Sequence, residues 1–522
     1  MKREIIEREK QPFIFCLIIT FILGLFAHAY AFLNSNFSHD CLNAFYSNSS
    51  EIAWKIELGR FFVPVYQMFT KGKFTLPWLI GILSLFYVSV AVYIVKKLFD
   101  IRSNVLVAFI AGILVTNVTF ISQTATYIHE LDCNMFAMLL AVLTAFVWKK
   151  YSNVNGILLG TILLFISMGI YQSYVSVTVA LIMIISLMAL LNQEETRIVV
   201  MRAIKGVLLV LFACVLYYIT SSFVCYFTEV PLADRVSVFT MDTDMNPILY
   251  YLKLIGGAYF HFASCIMDFK IYEPWIIIPI VLAFALLFGF VVIYVFGRKK
   301  ELKLTNKILI LCIGLFLPLG MNMTYVLARG IVHDVMTFSF WFIYVMFLIL
   351  VWWFADKYKD VFKYKNVLKI ISLFLVGVLV WQNIMLSNTA YIKKDVEAKA
   401  TLSTMTRVVE LMEEQENYVM GETIVAFIGA GSSYNILDEF DNVGHITGVG
   451  LNNALVSSTS VYYYNTYKAY FRYVLNYPLN ICDDTTHYQL EQSESVQEMP
   501  TFPSKGCIKM IDNILVIKLG ES

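Results

Sequence analysis

Charge-free stretches set the plan of this chain. Residues 13–33 run 21 positions without Asp, Glu, Lys or Arg. A helix rises about 1.5 Å per residue, so such a run crosses the roughly 30 Å of a bilayer's hydrocarbon. Further uncharged runs lie at 206–228, 274–296, 308–328, 335–355 and 370–391, and runs with weaker edges at 76–95, 104–122 and 133–148. The run 156–193 is different, because its 38 uncharged residues would make a helix of roughly 57 Å, nearly twice the hydrocarbon thickness. It must fold back on itself, and Gly169-Ile170-Tyr171-Gln172-Ser173 is the predicted turn. The pattern predicts eleven transmembrane helices.

Polar segments interrupt this pattern at four places. Residues 34–75 form a long polar and aromatic loop, in which Ile52, Ile56 and Gly59 recur at helical spacing, the pattern of an amphipathic helix on the membrane surface. Residues 124–132 form a short loop. Residues 229–273 carry Asp234, Arg235, Asp242 and Asp244, then an aromatic stretch from Tyr250 to Phe262 that predicts a second interfacial helix. From residue 392 charge returns. Residues 393–416 predict a solvated amphipathic helix, and 423–428 and 508–519 are rich in β-branched residues, as strands are. The predicted architecture is a mainly α, polytopic membrane domain over 1–391 and a small α/β domain over 392–522. Gly429-Ala430-Gly431-Ser432-Ser433 follows a predicted strand, but two glycines are a weak match to a phosphate loop and a plain turn is expected. No internal repeat relates two halves of the chain, unlike the inverted repeats of many secondary transporters.

Composition agrees with the pattern: the chain is 59% hydrophobic and 15% charged, where a soluble protein carries about a quarter charged residues. A net charge of +1 supplies no basic field for nucleic acid. Lys and Arg concentrate in the N-terminal segment and in the loops at 96–102, 149–150, 197–205, 298–307 and 357–369. The positive-inside rule then places the N-terminus in the cytoplasm. With eleven spans in the cytoplasmic membrane, the C-terminal domain and the loops at 34–75, 124–132 and 229–273 lie outside. Ala29-Tyr30-Ala31 mimics a signal-peptide cleavage site, yet the apolar core before it is too long, so an uncleaved first helix is expected. Cys16, Cys214, Cys225 and Cys312 read as packing residues. A disulfide between Cys482 and Cys507 is permitted by compartment and left open.

Candidate chemistry crowds the outer loops. Asp40 stands just after the first span, beside His39, where a carboxylate can accept the proton of an acceptor hydroxyl during sugar transfer to or from a lipid. A solvated interfacial acid is the plainer reading of a lone Asp. His129, Glu130 and Asp132 fall in one short loop and are expected to bind substrate. They could instead hold a divalent cation, though without the spacing of a metal motif, and Asp132 alone could cap the next helix. Lys55, Arg60 and Arg329, the last beside His333 and Asp334, can stabilise a leaving phosphate or merely snorkel. Tyr171 and Gln172 could bond sugar hydroxyls or simply build the turn.

The segments Asn36-Phe37-Ser38-His39-Asp40, Trp54-Lys55-Ile56-Glu57-Leu58-Gly59-Arg60-Phe61 and Tyr171-Gln172-Ser173, with Cys507-Ile508-Lys509-Met510-Ile511-Asp512 in the tail, resemble the bacterial GtrII-like glucosyltransferase family in their order and spacing. The resemblance implies a GT-C-type membrane enzyme that takes a sugar, glucose by the family's name, from a polyprenyl-phosphate donor. The acceptor it implies is an extracytoplasmic lipid-linked or surface glycan, with a flippase and a donor synthase as partners. It maps the family's acid of the first outer loop onto Asp40. Glu130, Asp132 and Arg329 are assigned by position alone. An inverting transfer with no required cofactor is the expectation. The alternatives are a transporter or flippase of lipid-linked saccharide, which would place ionisable groups inside the spans, and a polysaccharide polymerase.

Overall fold

The computed structural model describes residues 2–34, 38–46, 49–70, 72, 74–151, 153–233, 246–297, 302–360, 362–429, 440–449, 455 and 461–520. Among them ten helices are long and apolar enough to cross a membrane, and one further apolar helix has 17 residues. The protein is therefore a multi-pass membrane protein. In chain order the first helices are α1 (Lys2–Leu33), α2 (His39–Asn43), α3 (Ser49–Glu57), α4 (Phe62–Thr70) and α5 (Pro77–Leu98). Then come α6 (Asn104–Thr116), α7 (Val118–Thr126), α8 (Leu131–Lys150), α9 (Val154–Ile170), α10 (Val175–Leu191) and α11 (Thr196–Thr228). The remainder of the bundle is α12 (Pro247–Ile266), α13 (Pro274–Gly297), α14 (Leu304–Met321), the short α15 (Met323–Leu327), α16 (Phe342–Lys357) and α17 (Lys365–Glu413).

The over-long apolar run breaks where its length required. α9 ends at Ile170, Tyr171 is extended, and a single 3-10 turn, Gln172–Tyr174, leads into α10. A second break has no hydropathy signature. Asn117 interrupts the span 104–126 with an extended backbone, and its side chain closes both ends of the gap. Its Nδ2 donates to Leu114 O at 2.9 Å and its Oδ1 accepts from Phe120 N at 2.9 Å. Helix α7 beyond the break is buried along its whole length, although it carries Ser122, Gln123, Thr124 and Thr126.

α17 has 49 residues, and the expected boundary at 391/392 falls inside it. It leads into a four-stranded sheet of order β2-β1-β4-β3, formed by β1 (Ile424–Ile428), β2 (Asn480–Ile481), β3 (Ile508–Ile511) and β4 (Ile514–Lys518). β1 pairs in parallel with β2 and β4, and β3 and β4 form a hairpin. The hairpin turns on Asp512 and Asn513, both at positive φ, the geometry that matches strand twist in a two-residue loop. Among the described residues four helices complete this part, α18 (Asp441–Gly444), α19 (Val461–Tyr473), α20 (Asp484–Glu491) and α21 (Glu494–Gln497).

Several expectations need correction. Residues 393–416 are helical as far as Glu413, but the start is not solvated: Lys393, Lys394, Asp395 and Glu397 are buried. α3 forms as a helix with Ile52 exposed, but the face it packs against the protein carries Glu51 and Lys55 beside Ile56, which the apolar pattern does not indicate. Residues 124–132 are no free loop but a tight buried corner between α7 and α8, and Glu130, not Asp132, occupies the N-cap position. Cys482 and Cys507 are free thiols, packed in different apolar clusters. Gly429 ends β1 with a φ of +74°, as a turn does. Asn36, Phe37, Lys71, Lys73, Asp234, Arg235, Asp242, Asp244, residues 298–301 and 430–433, and the side chain of His39 lie outside the described residues.

One segment that ties the C-terminal part to the bundle is 443–449. Val443, Ile446 and Val449 belong to the apolar core of the bundle. Thr447 O accepts from Ser122 Oγ at 2.9 Å and from Thr126 Oγ1 at 3.1 Å. Gly448 has a φ of +79°, and a Cβ there would overlap Thr126. The change Gly448→Ala is therefore expected to cost at least about 1–3 kcal/mol from backbone strain alone. Thermal unfolding of the purified protein in detergent checks this, and an unchanged midpoint would show that the segment is not seated against Thr126.

Candidate functional site

The site is built around the corner between α7 and α8. Its residues bury polar groups, and most of these are matched locally, although Arg60 Nε is buried without a hydrogen-bond partner. Glu130 is only 1% exposed at its side chain and forms ion pairs with Lys55 and, at 2.9 Å, with Arg60 Nη1. His129 Nε2 stands 3.7 Å from the same carboxylate. Burial works against the charge of the Lys55 ammonium, but Glu130 and Glu51 outweigh it and hold the group above its ordinary pKa. The Arg60 guanidinium is likewise opposed by burial and held up by Glu130. It lies 4.5 Å over the Tyr171 ring.

The two cations reach Glu130 because the chain between α3 and α4 is fixed from outside. Gly59 turns the chain at a φ of +70°. Gln172 Nε2 donates to Leu58 O at 2.7 Å, and Tyr217 OH donates to Gly59 O at 3.2 Å. Gln172 also donates to Tyr217 OH at 2.7 Å. The predicted turn at Tyr171 and Gln172 thus serves Arg60 twice, through its ring and through its amide.

Asp40 approaches the corner from the other side. It lies in the first turn of α2, whose N-cap Ser38 accepts from Cys41 N. Ser38 Oγ donates to Thr126 O at 2.5 Å, and Cys41 Sγ lies 3.1 Å from the same oxygen and 3.3 Å from His129 Nδ1. Leu42, on the next turn, is buried with Met405, Tyr467, Tyr470 and Phe471 of the C-terminal part. Asp40 itself stays half-buried. The contacts of Ser38 and Cys41 with Thr126 O and His129 set α2, and with it Asp40, at the corner that carries Glu130; burial first and the Asp40 carboxylate next push the Tyr127 phenol above its ordinary pKa.

The remaining candidates are placed differently. Asp132 is buried and spent on Tyr66, whose hydroxyl lies 3.1 Å from Oδ2. Arg329 sits at a φ of +53° on the turn after α15, and the contacts that gather Lys55, Arg60 and His129 on Glu130 do not include it. Asp334 holds the C-terminal segment: its Oδ2 accepts from Thr447 N at 2.8 Å and Thr447 Oγ1 at 2.9 Å. Among the described residues no group of three or more His, Cys, Asp or Glu side chains has a geometry that holds a metal ion. Ser38, Cys41, Tyr66, Tyr127 and Thr447 were not singled out from the sequence. Tyr127 sits within the polar stretch 124–132, and Ser38 within the quoted segment that ends at Asp40; these were the signals available. The others act through contacts distant in the chain.

A multi-pass bundle with its ionised side chains drawn to a corner where helix ends meet, and a small α/β unit clamped on that corner, defines a membrane protein with a polar site at the edge of an apolar bundle. The family model for glucosyl transferase GtrII matches residues 29–354, more than half of the chain. The protein belongs to the GtrII glucosyltransferase family, and is accordingly a glycosyltransferase. No curated protein and no solved structure matches the chain.

Removing the Glu130 charge leaves two cations facing each other in a buried setting. Glu130→Gln is expected to destabilise by about 3–5 kcal/mol, the usual cost of breaking a buried ion pair from one side. The double change Glu130→Gln with Lys55→Met should recover part of that loss. Unfolding midpoints of the three proteins in one detergent decide it, and wild-type stability in Glu130→Gln would remove the ion cluster from the account.

Proposed function

We propose that the protein moves a sugar, glucose being the first choice, from a polyprenyl-phosphate donor to a glycan acceptor on the outer face of the cytoplasmic membrane. The observation that carries this reading is the half-buried Asp40 set beside a buried carboxylate that gathers two cations. Asp40 takes the proton of the acceptor hydroxyl as that oxygen bonds to the anomeric carbon. The bond from the same carbon to the phosphate oxygen breaks, configuration inverts, and polyprenyl phosphate leaves. No metal is required for the charge that develops, because cationic side chains stabilise it in a low-dielectric site.

Arg60 is the cation best suited to meet that phosphate, since its side chain is 19% exposed against 7% for Lys55. Lys55 supports it, and Arg329 joins from its own turn. Glu130 acts through Lys55 and Arg60, which it positions. His129 backs the Glu130 carboxylate and Asp132 is held by Tyr66, while Tyr171 and Gln172 hold the Arg60 turn; His39 adjoins Asp40 in the chain. The N-terminus lies in the cytoplasm, and the unit 392–522 stands outside, where it covers the acceptor side.

Membranes containing wild type or Asp40→Asn, at equal expression, are given radiolabelled polyprenyl-phosphate glucose and endogenous lipid-linked glycan. The wild type transfers label. Asp40→Asn is expected to lose about 10²–10⁴-fold in rate, the range for removal of a general base. Equal transfer by both would take the base role from Asp40.

A further inference from the structure

Most of the corner between α7 and α8 is sealed. Every residue from 110 to 135 is buried except one, Tyr127. Its main chain is spent, since its N–H donates to Gln123 O at 2.8 Å and its carbonyl accepts from Glu130 N at 2.9 Å. Its side chain is half-buried, and among the described residues its hydroxyl meets no hydrogen-bond partner. A phenol hydroxyl can both donate and accept, and Tyr normally finds a partner for it when the ring is packed away. At the one opening of a sealed corner, that capacity is left for a ligand.

Tyr127 stands between the two halves of the site. On one side Thr126 O takes Ser38 Oγ at 2.5 Å and Cys41 Sγ at 3.1 Å, the contacts that seat Asp40. On the other, Glu130 takes Arg60 Nη1 at 2.9 Å, and the Tyr127 ring lies 6.2 Å from the ring of His129. Asp40 and Arg60 are, like Tyr127, only partly buried, and Arg60 Nε has no hydrogen-bond partner. Base, phenol and guanidinium thus share the open part of the corner. Burial and the Asp40 carboxylate keep the phenol protonated, so it serves as a hydrogen-bond donor and not as an acid. In a displacement that inverts a sugar carbon, the attacking oxygen and the leaving group lie on opposite faces of that carbon. A group set between the base and the phosphate's cation therefore faces the sugar itself.

We propose that Tyr127 is the residue that holds the transferred sugar: its hydroxyl hydrogen-bonds a hydroxyl of the pyranose, and its ring lies along the sugar's C–H face. This rests on the transferase reading and adds a contact to it. Asp40 and Arg60 act on the acceptor hydroxyl and the phosphate, which donors carrying different sugars have in common. Tyr127 acts on the part that differs from one sugar to the next. A site built to bond a substrate hydroxyl discriminates against the analogue that lacks it, so Tyr127 is a specificity-determining residue.

The test is saturation binding of two radiolabelled ligands, farnesyl phosphate and glucosyl farnesyl phosphate, to the purified full-length wild type and Tyr127→Phe in detergent. Tyr127→Phe is expected to bind the glucosyl ligand about two- to tenfold more weakly than the wild type, the worth of one neutral hydrogen bond. Farnesyl phosphate, which has no sugar, should bind both proteins alike. The lost hydroxyl bonds nothing among the described residues, so the variant should unfold at the wild-type temperature. Monodeoxyglucosyl ligands then name the sugar hydroxyl: the one whose removal weakens the wild type should cost Tyr127→Phe nothing more. Equal binding of the glucosyl ligand by the two proteins, or an equal loss for both ligands, overturns the proposal. Sugar transfer measured on the same proteins separates the two claims. A sugar-dependent loss in Tyr127→Phe without transfer of any sugar by the wild type would leave the contact standing and remove the transferase reading. Transfer by Tyr127→Phe at the wild-type kcat/KM would do the reverse.

Discussion

A carboxylate buried at the end of a bundle of apolar helices is tolerated only if its charge is answered on the spot. Desolvation costs several kcal/mol per ion, and only close, well-directed partners return it. Glu130 is that carboxylate here, and much of the local architecture follows from answering it. Lys55 must come from α3 and Arg60 from the turn beyond, which fixes where the loop after α1 can run. That turn in turn needs Gly59 at positive φ and the outside bonds from Gln172 and Tyr217. His129 lies between Glu130 and Cys41 and so links the ion cluster to α2.

The same corner explains why the C-terminal part is clamped where it is. α2 has 5 residues, too few to hold its own shape in water. It is held by Ser38 and Cys41 against Thr126 O on one face and by Leu42 in the apolar cluster of the C-terminal part on the other. Thr447 closes the arrangement from the side, bonded to Ser122, Thr126 and Asp334. A carboxylate carried on so short a helix is placed by such external contacts, and the base role proposed for Asp40 would require that placement, to within hydrogen-bond reach of the proton it takes.

Features set by the thickness of the bilayer or by local backbone rules were legible in the chain. The run 156–193 was too long for one crossing, and it breaks at Tyr171. The strands at 423–428 and 508–519 were visible from their β-branched residues. Features that depend on distant partners were not. Hydropathy periodicity marked the apolar positions of α3 but not its buried Lys55, because it cannot see the carboxylate that Lys55 has to meet, and Arg60 meets the same one 70 positions away. Lys393, Lys394 and Glu397 looked solvated because charge returns to the sequence there, yet the three answer one another inside the protein. The break at Asn117 was invisible because a single amide in an uncharged run leaves no mark on a hydropathy pattern. Asp40 and the 129–132 cluster were found by position, but their division into a half-buried carboxylate and a fully buried one that gathers two cations required the structure.

That division is the central claim, and turnover per folded molecule tests it most directly. Asp40→Asn and Glu130→Gln would be purified side by side, with the folded fraction of each measured before initial rates are taken. The account predicts that Asp40→Asn is folded like the wild type and loses about 10²–10⁴-fold in kcat. It predicts that Glu130→Gln is poorly folded yet keeps a kcat within about tenfold of wild type per folded molecule, with its loss appearing in stability and in KM. A stable but inactive Glu130→Gln beside an active Asp40→Asn would contradict it and exchange the roles of the two carboxylates.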